Sequence, residues 1–396
     1  MGSGLTHAVH WIAARSPAAG MDRIAYTCCG KSIKAVADDS ADKAGRNTGN
    51  LEDDVRVANE MLRGLEILGN DEEVRNLREV ITDSMLGLAA AVLQSEANIA
   101  RGSKNRDEDI ASASKRRDDA YNALVGFLMS FASRTGTRDR LNVFTTNYDR
   151  LIEAGAELSG LHLLDRFVGT LMPVFRSSRL DIDMHYNPPG IRGEPRYLEG
   201  VVRFSKLHGS LDWFHVGDDI RRIGIPFGAT HVRLQSPGLD GINARRLMVY
   251  PNAAKDQETA MYPFVELFRD FAAAICRPNS TLVTYGYSFG DDHINRVIRD
   301  MLTIPSTHLV VIARDDNSGR IMQTYEKTGR ASQISLLIGP ALSDLKTLNT
   351  YFLPKASIDS ATTRMSEMLR RRYGDIRLTE HDDPQKTGEE KGSGAV

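Results

Sequence analysis

The stretch STLVTYGYSFGDDHINRVIRDMLTIPSTHLVVIARDD (residues 280–316) decides the fold class. An apolar run comes first, a turn with Gly286 and Gly290 follows, apolar residues then recur at helical spacing, and a second apolar run closes the segment. This is the pattern and the length of one βαβ unit, whose crossover makes its two strands parallel. We therefore expect an α/β fold with a Rossmann-like, doubly wound parallel sheet, in which ligands bind beyond the carboxyl ends of the strands.

Three further segments contribute to the same kind of sheet. LNVFTTNYDRLIEAGAELSG (141–160) predicts a strand, a turn and a helix, VVRFSKLHGS (201–210) predicts a strand that ends in a Gly-Ser turn, and SQISLLIGP (332–340) predicts another strand. Because strands that alternate with helices form parallel sheets covered on both faces, we expect these strands to join one sheet.

Residues 51–135 differ from the segments around them. Apolar residues recur there at helical spacing with no strand-like run between them, which predicts an all-helical insertion. We assign residues 1–50 and 136–355 to the α/β domain. Residues 356–396 begin with an amphipathic helical pattern and end in a polar tail that we expect to be disordered.

The composition limits the classes of function. The chain of 396 residues has 50 basic and 52 acidic side chains and a net charge of −2, which gives no overall attraction to nucleic acid or acidic membranes. It has no run of about 18 apolar residues and no secretory signal pattern, so we expect a cytoplasmic protein that does not contact membranes. Three cysteines do not supply a four-cysteine zinc site, and we expect no metal.

Polar side chains follow two of the predicted strands. Asn147 lies in TTNYD (145–149), and its amide can hold a ribose hydroxyl and a water because it both donates and accepts hydrogen bonds. An Asx turn or a helix cap is an equal alternative for Asn147, and capping is favoured for Asp149. His208 ends the strand in KLHGS (206–210), where a histidine that bonds only to backbone is the commoner case.

The turn in GYSFGDDHIN (286–295) is a third candidate. Gly286 and Gly290 allow the backbone to approach a ribose or a phosphate closely. Ser288 between them gives a Gly-x-Ser-x-Gly spacing that also occurs in the nucleophile elbow of hydrolases. In that elbow the acid and the histidine come later in the chain, whereas His293 here falls inside the next helix, so the elbow is disfavoured.

Taken in order, the segments VFTTNYD, SKLHGSLDWF, LMVYPNAA and VELFRDFAAAICRPNSTLVTYGYSFGDDHIN resemble bacterial SIR2-like proteins of anti-phage defence. The chain is most similar to the SIR2 subunit that partners a HerA-type ATPase. The resemblance implies a Rossmann-like domain that binds NAD+, with a helical insertion. It also implies catalytic roles for Asn147 and His208 and contacts to NAD+ from Thr146, Asp149, Gly286 and Ser288.

In this family a strand precedes the motif G-A-G-x-S near the N-terminus, and its best match here is HAVHWIAARSPAAGMDRI (7–24). The resemblance then places the NAD+ pyrophosphate at Ala13, Ala14 and Ser16. Ile12 and Ala14 stand where the family has glycines, so we expect glycine at both positions to tighten NAD+ binding. Gly2-Ser3-Gly4 is a weaker match, because no strand can precede it in this sequence.

The resemblance implies an NAD+ glycohydrolase, the effector subunit of a defence complex, with NAD+ as substrate. It further implies a homo-oligomer with a HerA-type ATPase partner, and contact with nucleic acid only indirectly. Without the four-cysteine ribbon of sirtuin deacetylases, protein deacetylation is disfavoured. Two alternatives stay open, a nuclease or nucleic-acid-binding subunit and a catalytically inactive scaffold that senses NAD.

Overall fold

The computed structural model describes residues 1–18, 22–43, 48–102, 110–132, 140–178, 182–186, 196–198, 200–230 and 262–354. Its helices are α1 (Ser3–Ala14), α2 (Ile33–Lys43), α3 (Leu51–Leu68), α4 (Asp71–Arg101), α5 (Ile110–Ala132), α6 (Leu151–Ser159), α7 (Phe264–Ile275), α8 (Asp292–Leu302), α9 (Arg320–Thr328), α10 (Pro340–Ser343) and α11 (Leu345–Thr347). Its strands are β1 (Thr27–Cys28), β2 (Lys31–Ser32), β3 (Leu141–Thr145), β4 (His162–Leu164), β5 (Phe167–Val168), β6 (Val174–Phe175), β7 (His185–Tyr186), β8 (Arg196–Tyr197), β9 (Val201–Lys206), β10 (Trp213–Val216), β11 (Asp219–Arg222), β12 (Thr281–Tyr285), β13 (His308–Ala313) and β14 (Ile334–Ile338).

The predicted βαβ unit is confirmed. Strand β12 pairs in parallel with β13, the amphipathic helix α8 connects them, and β14 continues the sheet in parallel. A second parallel set has the order β3, β9, β4. Antiparallel strands in the order β10, β11, β6, β5 form a smaller sheet that follows β9 in the chain.

Helices cover both faces of the parallel strands, as a doubly wound fold requires. On one face α7 and α8 pack against the sheet through a cluster that includes Phe271, Ile298 and Val311. On the other face α1 and α5 supply residues such as Val9 and Phe127. The strands are buried between two helical layers, which is why they read as continuous apolar runs in the sequence.

The helical section predicted for residues 51–135 is confirmed in the described residues. Asn50 and Asp53 form a capping box at the start of α3, and the Asn70 side chain caps α4. Helices α2, α3 and α4 share a core that includes Leu65, Leu77 and Leu88. Helix α5 instead packs on the parallel strands, where the rings of Phe127 and Tyr285 lie 5.0 Å apart.

The N-terminal segment differs from the expectation. The strand expected ahead of residue 12 is part of helix α1, because Leu5, Val9, Ile12 and Ala13 recur at helical spacing and are all buried. The LMVYPNAA segment (247–254) and residues 356–396 lie outside the described residues. Across the described ranges, no helix is both long and apolar enough to cross a membrane.

Because residues 12 and 14 lie in helix α1, we do not expect glycine at these positions to tighten NAD+ binding. Ala14 is buried at the end of α1, so Ala14→Gly adds backbone entropy to the unfolded chain without opening a ligand site. We expect this substitution to lower the free energy of unfolding by about 0.5–1 kcal/mol and to leave NAD+ binding unchanged. Denaturant melts and titration calorimetry measure the two quantities, and tighter binding by the glycine variant would restore the original alignment.

Candidate functional site

A cleft of about 270 Å³ lies beyond the carboxyl ends of β3, β9 and β12. The first turn of α1, one face of α4 and the segments after the three strands line it. The structure places six of the predicted residues together along this cleft: Thr146, Asn147, Asp149, His208, Gly286 and Ser288. It is the position at which open α/β sheets bind ligands.

Three predicted residues lie elsewhere. Ala13 and Ala14 are buried in the core around α1, and the Ser16 carbonyl hydrogen-bonds the ring of His10 over 2.9 Å. None of the three is among the residues that line the cleft. Gly2, Ser3 and Thr6 from the first turn of α1 line the cleft instead.

The side chain of Asn147 is held by two hydrogen bonds. Its Nδ2 donates to the Gly2 carbonyl over 3.2 Å and to the Thr6 hydroxyl over 2.9 Å, and Thr6 donates in turn to Asp149 Oδ2 over 2.6 Å. Because the donor end of the amide is occupied, a ligand hydroxyl or a water would bind at its carbonyl oxygen. The other carboxylate oxygen of Asp149 accepts from the N–H of Leu151, which is the capping role expected for it.

Thr6, which links Asn147 to Asp149, has no role in the sequence prediction. Gly2-Ser3-Gly4-Leu5-Thr6 nevertheless has the spacing of G-A-G-x-S, with threonine in place of serine. The family's pattern of a strand ahead of this motif disfavours the match.

Glycines bring the N-terminal turn against the turn after β12. The Gly4 N–H donates to the Gly286 carbonyl over 3.2 Å, and a Cβ on Gly4 would lie 2.5 Å from the Gly286 Cα. Gly286 itself has a φ of 60°, which disfavours any other residue. Gly286 therefore permits close backbone contact. Ser288, two residues later, is exposed and remains accessible in the cleft.

The amino end of α1 brings the positive end of its helix dipole to the cleft, which the acidic residues Glu52, Asp149 and Asp291 also line. Gly2 and Ser3 line the cleft, and the first turn of α1 contains no acidic side chain that would offset the helix dipole. Arg320, at the start of α9, lines the same cleft. A helix N-terminus behind a glycine turn, with a guanidinium nearby, suits a phosphate or pyrophosphate group.

His208 is paired with a second histidine. Its Nε2 lies 3.2 Å from Nε2 of His293 on α8, and both side chains are buried, with exposed fractions of 4% and 8%. The ring of Phe268 packs edge-on against His293 at 4.9 Å. An N···N hydrogen bond needs one donor and one acceptor, so two fully protonated rings cannot keep this contact.

An ion pair between the buried Lys206 and the partly buried Glu153 supports the Asn147 turn. Lys206 Nζ donates to the carbonyl of Asp149 and lies 2.9 Å from Glu153 Oε1, and only 2% of Lys206 is exposed. Burial and the nearby Asp212 carboxylate raise the pKa of Glu153 to about 7, against the opposing effect of Lys206. The sequence alone did not indicate this pair.

A second buried pair joins the turn to the helical section. The backbone N–H of Arg150 donates to Glu96 Oε1 on α4 over 2.7 Å, and the guanidinium of Arg150 binds the same carboxylate. Burial raises the pKa of Glu96, although Arg150 opposes the shift. Movement of α4 would therefore act directly on the segment that carries Asn147.

The part of the chain that the structure describes has no group of three or more His, Cys, Asp or Glu side chains placed to hold a metal ion. A comparison with curated proteins finds no match. Against protein families, residues 141–334 match the family described as SIR2-like domain. This match begins at β3, ends at β14 and spans Asn147, His208 and the turn after β12. The chain therefore contains a SIR2-like domain in residues 141–334.

Proposed function

We propose that this protein is an NAD+ glycohydrolase that releases nicotinamide. The observation that carries the proposal is the convergence of Asn147, His208 and the amino end of α1 on one cleft at the carboxyl ends of parallel strands. A SIR2-like domain is consistent with NAD-related activity. In our proposal Gly2, Ser3 and Gly4 replace Ala13, Ala14 and Ser16 as the contacts of the pyrophosphate.

In this reaction the bond between nicotinamide and C1′ of the ribose breaks, and the electron pair leaves with nicotinamide. The ribose carbon develops oxocarbenium character, and a water adds its oxygen to C1′ to give ADP-ribose. The proton of that water passes to the protein and then to solvent. The carbonyl oxygen of Asn147 would accept a hydrogen bond from the ribose or from the attacking water, since its Nδ2 is bonded to Gly2 and Thr6.

In our proposal the histidine pair holds His208 in the tautomer that it needs as a general base. To accept a proton at Nδ1, His208 must carry its own proton on Nε2 and donate it to His293. His293 then accepts at Nε2, 3.2 Å away, and carries its proton on Nδ1. His293 is thus a positioning residue in this proposal, because it acts through His208.

We further propose that the protein acts as the effector subunit of an anti-phage defence complex, as a homo-oligomer with a HerA-type ATPase. The resemblance in sequence motifs supports this role. Large apolar side chains on the helical section support an interface there, since Ile67, Leu68 and Ile110 are 75–80% exposed. The Arg150–Glu96 pair would transmit a shift of α4 to the Asn147 turn.

A scaffold that binds NAD+ without cleaving it is the second candidate. The low exposure of His208 favours it, because a side chain that is 4% exposed must gain access to the substrate before it can act. The two functions separate in one experiment, in which NAD+ is incubated with the protein, alone and with the partner ATPase, and nicotinamide is followed by chromatography. Binding without nicotinamide release under both conditions would favour the scaffold.

Asn147 provides a sharper test of the site. We expect Asn147→Ala to lower nicotinamide release by about 100-fold, because the ribose and the water lose a positioning group. Asn142→Ala is the matched control, since Asn142 lies on β3, the strand that Asn147 follows, and its side chain donates to the Arg140 carbonyl. Equal turnover by the two variants, with equal melting temperatures, would contradict the assigned role.

A further inference from the structure

The two ends of the ligand cleft follow from the order of the strands. His208 comes after β9 and Asn147 after β3, which pair in parallel, whereas Ser288 comes after β12, which pairs in parallel with β13. The amino-terminal turn lies between the two sets, because the Gly2 carbonyl accepts from Asn147 Nδ2 and the Gly2 N–H donates to the Tyr285 carbonyl of β12. His208 and Ser288 therefore lie on opposite sides of this turn.

This order gives a bound dinucleotide a direction, which rests on the proposed function. If Asn147 and His208 hold the ribose that loses nicotinamide, and the amino end of α1 holds the pyrophosphate, the adenosine half extends past Ser288 toward α9. The adenosine ribose has a free 2′-hydroxyl in NAD+ and a phosphate at that position in NADP+. The residues at this end of the cleft therefore decide which of the two dinucleotides binds more tightly.

Arg320 and Ser288 form the adenosine end of the cleft. Both line it, Arg320 from the start of α9 and Ser288 from the turn after β12. A Cβ on Gly290 would lie 3.2 Å from a terminal nitrogen of Arg320 and 3.6 Å from the Ser288 hydroxyl. Both groups thus reach the same space beside Gly290, and the missing side chain leaves that space to a ligand.

Both side chains have donors to offer there. Nε of Arg320 donates to the Ser318 hydroxyl over 3.0 Å, which orients the guanidinium. Within the described ranges, neither the terminal nitrogens of Arg320 nor the exposed Ser288 hydroxyl has a hydrogen-bond partner in the protein. Two guanidinium nitrogens beside a hydroxyl match the three oxygens of a phosphate monoester, which carries up to two negative charges.

The acidic groups near this end have other positions or partners. In NAD-binding folds a carboxylate commonly binds the free 2′-hydroxyl, whereas an arginine accommodates a 2′-phosphate. Asp316, after β13, instead caps α9, where its two carboxylate oxygens accept from the N–H groups of Ile321 and Met322 over 3.0 and 2.9 Å. Asp291 lines the cleft at the start of α8, and its carboxylate suits the 3′-hydroxyl, which is free in both dinucleotides.

We propose that Arg320 and Ser288 bind the 2′-phosphate of NADP+, so that the cleft binds NADP+ more tightly than NAD+ and the protein releases nicotinamide from both. Two terminal nitrogens of Arg320 donate to two oxygens of the phosphate, and the Ser288 hydroxyl donates to the third. Bond cleavage at the nicotinamide ribose is the same for both dinucleotides, because the 2′-phosphate lies on the other ribose.

Calorimetry with ADP-ribose and ADP-ribose 2′-phosphate tests binding without turnover. We expect the second probe to bind about 10–100-fold more tightly, as charge-assisted hydrogen bonds require. Arg320→Ala should bring the two affinities to within about threefold of each other, because the guanidinium supplies most of this difference. Arg320→Lys keeps the charge but loses the planar fork, so it should retain only part of the preference.

Arg314→Ala is the matched control, since Arg314 is an exposed arginine directly after β13 and is not among the residues that line the cleft. It should keep the full preference for the 2′-phosphate. Equal affinities of the unmodified protein for the two probes would overturn the proposal. An equal loss of affinity for both probes in Arg320→Ala would also overturn it, because Arg320 would then bind the pyrophosphate.

Turnover of the two dinucleotides separates the 2′-phosphate site from the proposed function. We expect kcat/KM for nicotinamide release to be higher with NADP+ than with NAD+, and the ratio of the two values to fall by about 10–100-fold in Arg320→Ala. A ratio that Arg320→Ala leaves unchanged would overturn the site even in an active enzyme. If neither dinucleotide is cleaved and Arg320 still sets the preference in calorimetry, the glycohydrolase proposal is wrong and the 2′-phosphate site is supported.

Discussion

His208→Ala is expected to lower nicotinamide release from NAD+ by about 10²–10⁴-fold while the affinity for ADP-ribose stays within a few-fold. The loss follows from removing the group that takes up the proton of the attacking water. In our proposal the amino end of α1, and not His208, contacts the pyrophosphate, so binding should survive. Steady-state chromatography of nicotinamide and calorimetry with ADP-ribose measure the two quantities.

Two variants separate this chemical loss from a loss of structure. His208→Gln keeps a hydrogen-bonding side chain opposite His293 but cannot act as a base at neutral pH, so we expect it to be as inactive as the alanine variant. His162→Ala removes an exposed histidine from β4 of the same sheet and should keep full activity. Substantial turnover by His208→Gln would mean that the imidazole is not the base.

The parallel sheet could be predicted because its cause is local. Each strand is covered by helices on both faces, so its residues are apolar almost without interruption, and the turn after β12 contains Gly286, whose φ is positive. These requirements appear within one short segment of sequence. The placement of Asn147 and His208 followed from the same rule, since both come directly after a strand.

The N-terminal turn that lines the cleft could not be predicted from the sequence, because its cause is not local. Gly4 is a glycine because its backbone touches that of Gly286, which lies far away in the sequence. The family pattern also places a strand ahead of the glycine motif, whereas the spacing of Leu5, Val9 and Ile12 predicts a helix. This helical spacing by itself indicates that residues 12–14 belong to a helix and not to a turn.

The side chains that support the site could not be predicted from the sequence either. His293 is separated from His208 by 85 residues, and Lys206 from Glu153 by 53, so neither contact leaves a short motif in the sequence. A lysine within a strand pattern reads as a solvent-facing residue, whereas Lys206 is 2% exposed. A buried cation is tolerated there because the carbonyl of Asp149 and the carboxylate of Glu153 on α6 bind its ammonium group.

Lys206→Met is expected to lower the free energy of unfolding by about 2–4 kcal/mol at pH 8, because it leaves the partly buried Glu153 carboxylate without its counter-charge. It also removes the donor that holds the carbonyls of Tyr148 and Asp149, next to Asn147. Affinity for ADP-ribose should therefore fall together with stability. Denaturant melts at several pH values, with calorimetry at pH 8, measure both effects.

The pH dependence identifies the cause. The pKa of Glu153 is higher in the folded protein, at about 7, than its ordinary value of 4.5, so the folded state binds this proton more tightly. Stability from this group is therefore greatest below about pH 4.5 and falls as the pH rises toward 7. The loss in free energy of unfolding caused by Lys206→Met should accordingly be smaller at pH 5 than at pH 8, where the carboxylate is charged. Adding Glu153→Gln should remove that difference, because a neutral amide needs no counter-charge. If the stability lost in Lys206→Met were independent of pH and unaffected by Glu153→Gln, Lys206 would act only through the backbone carbonyls.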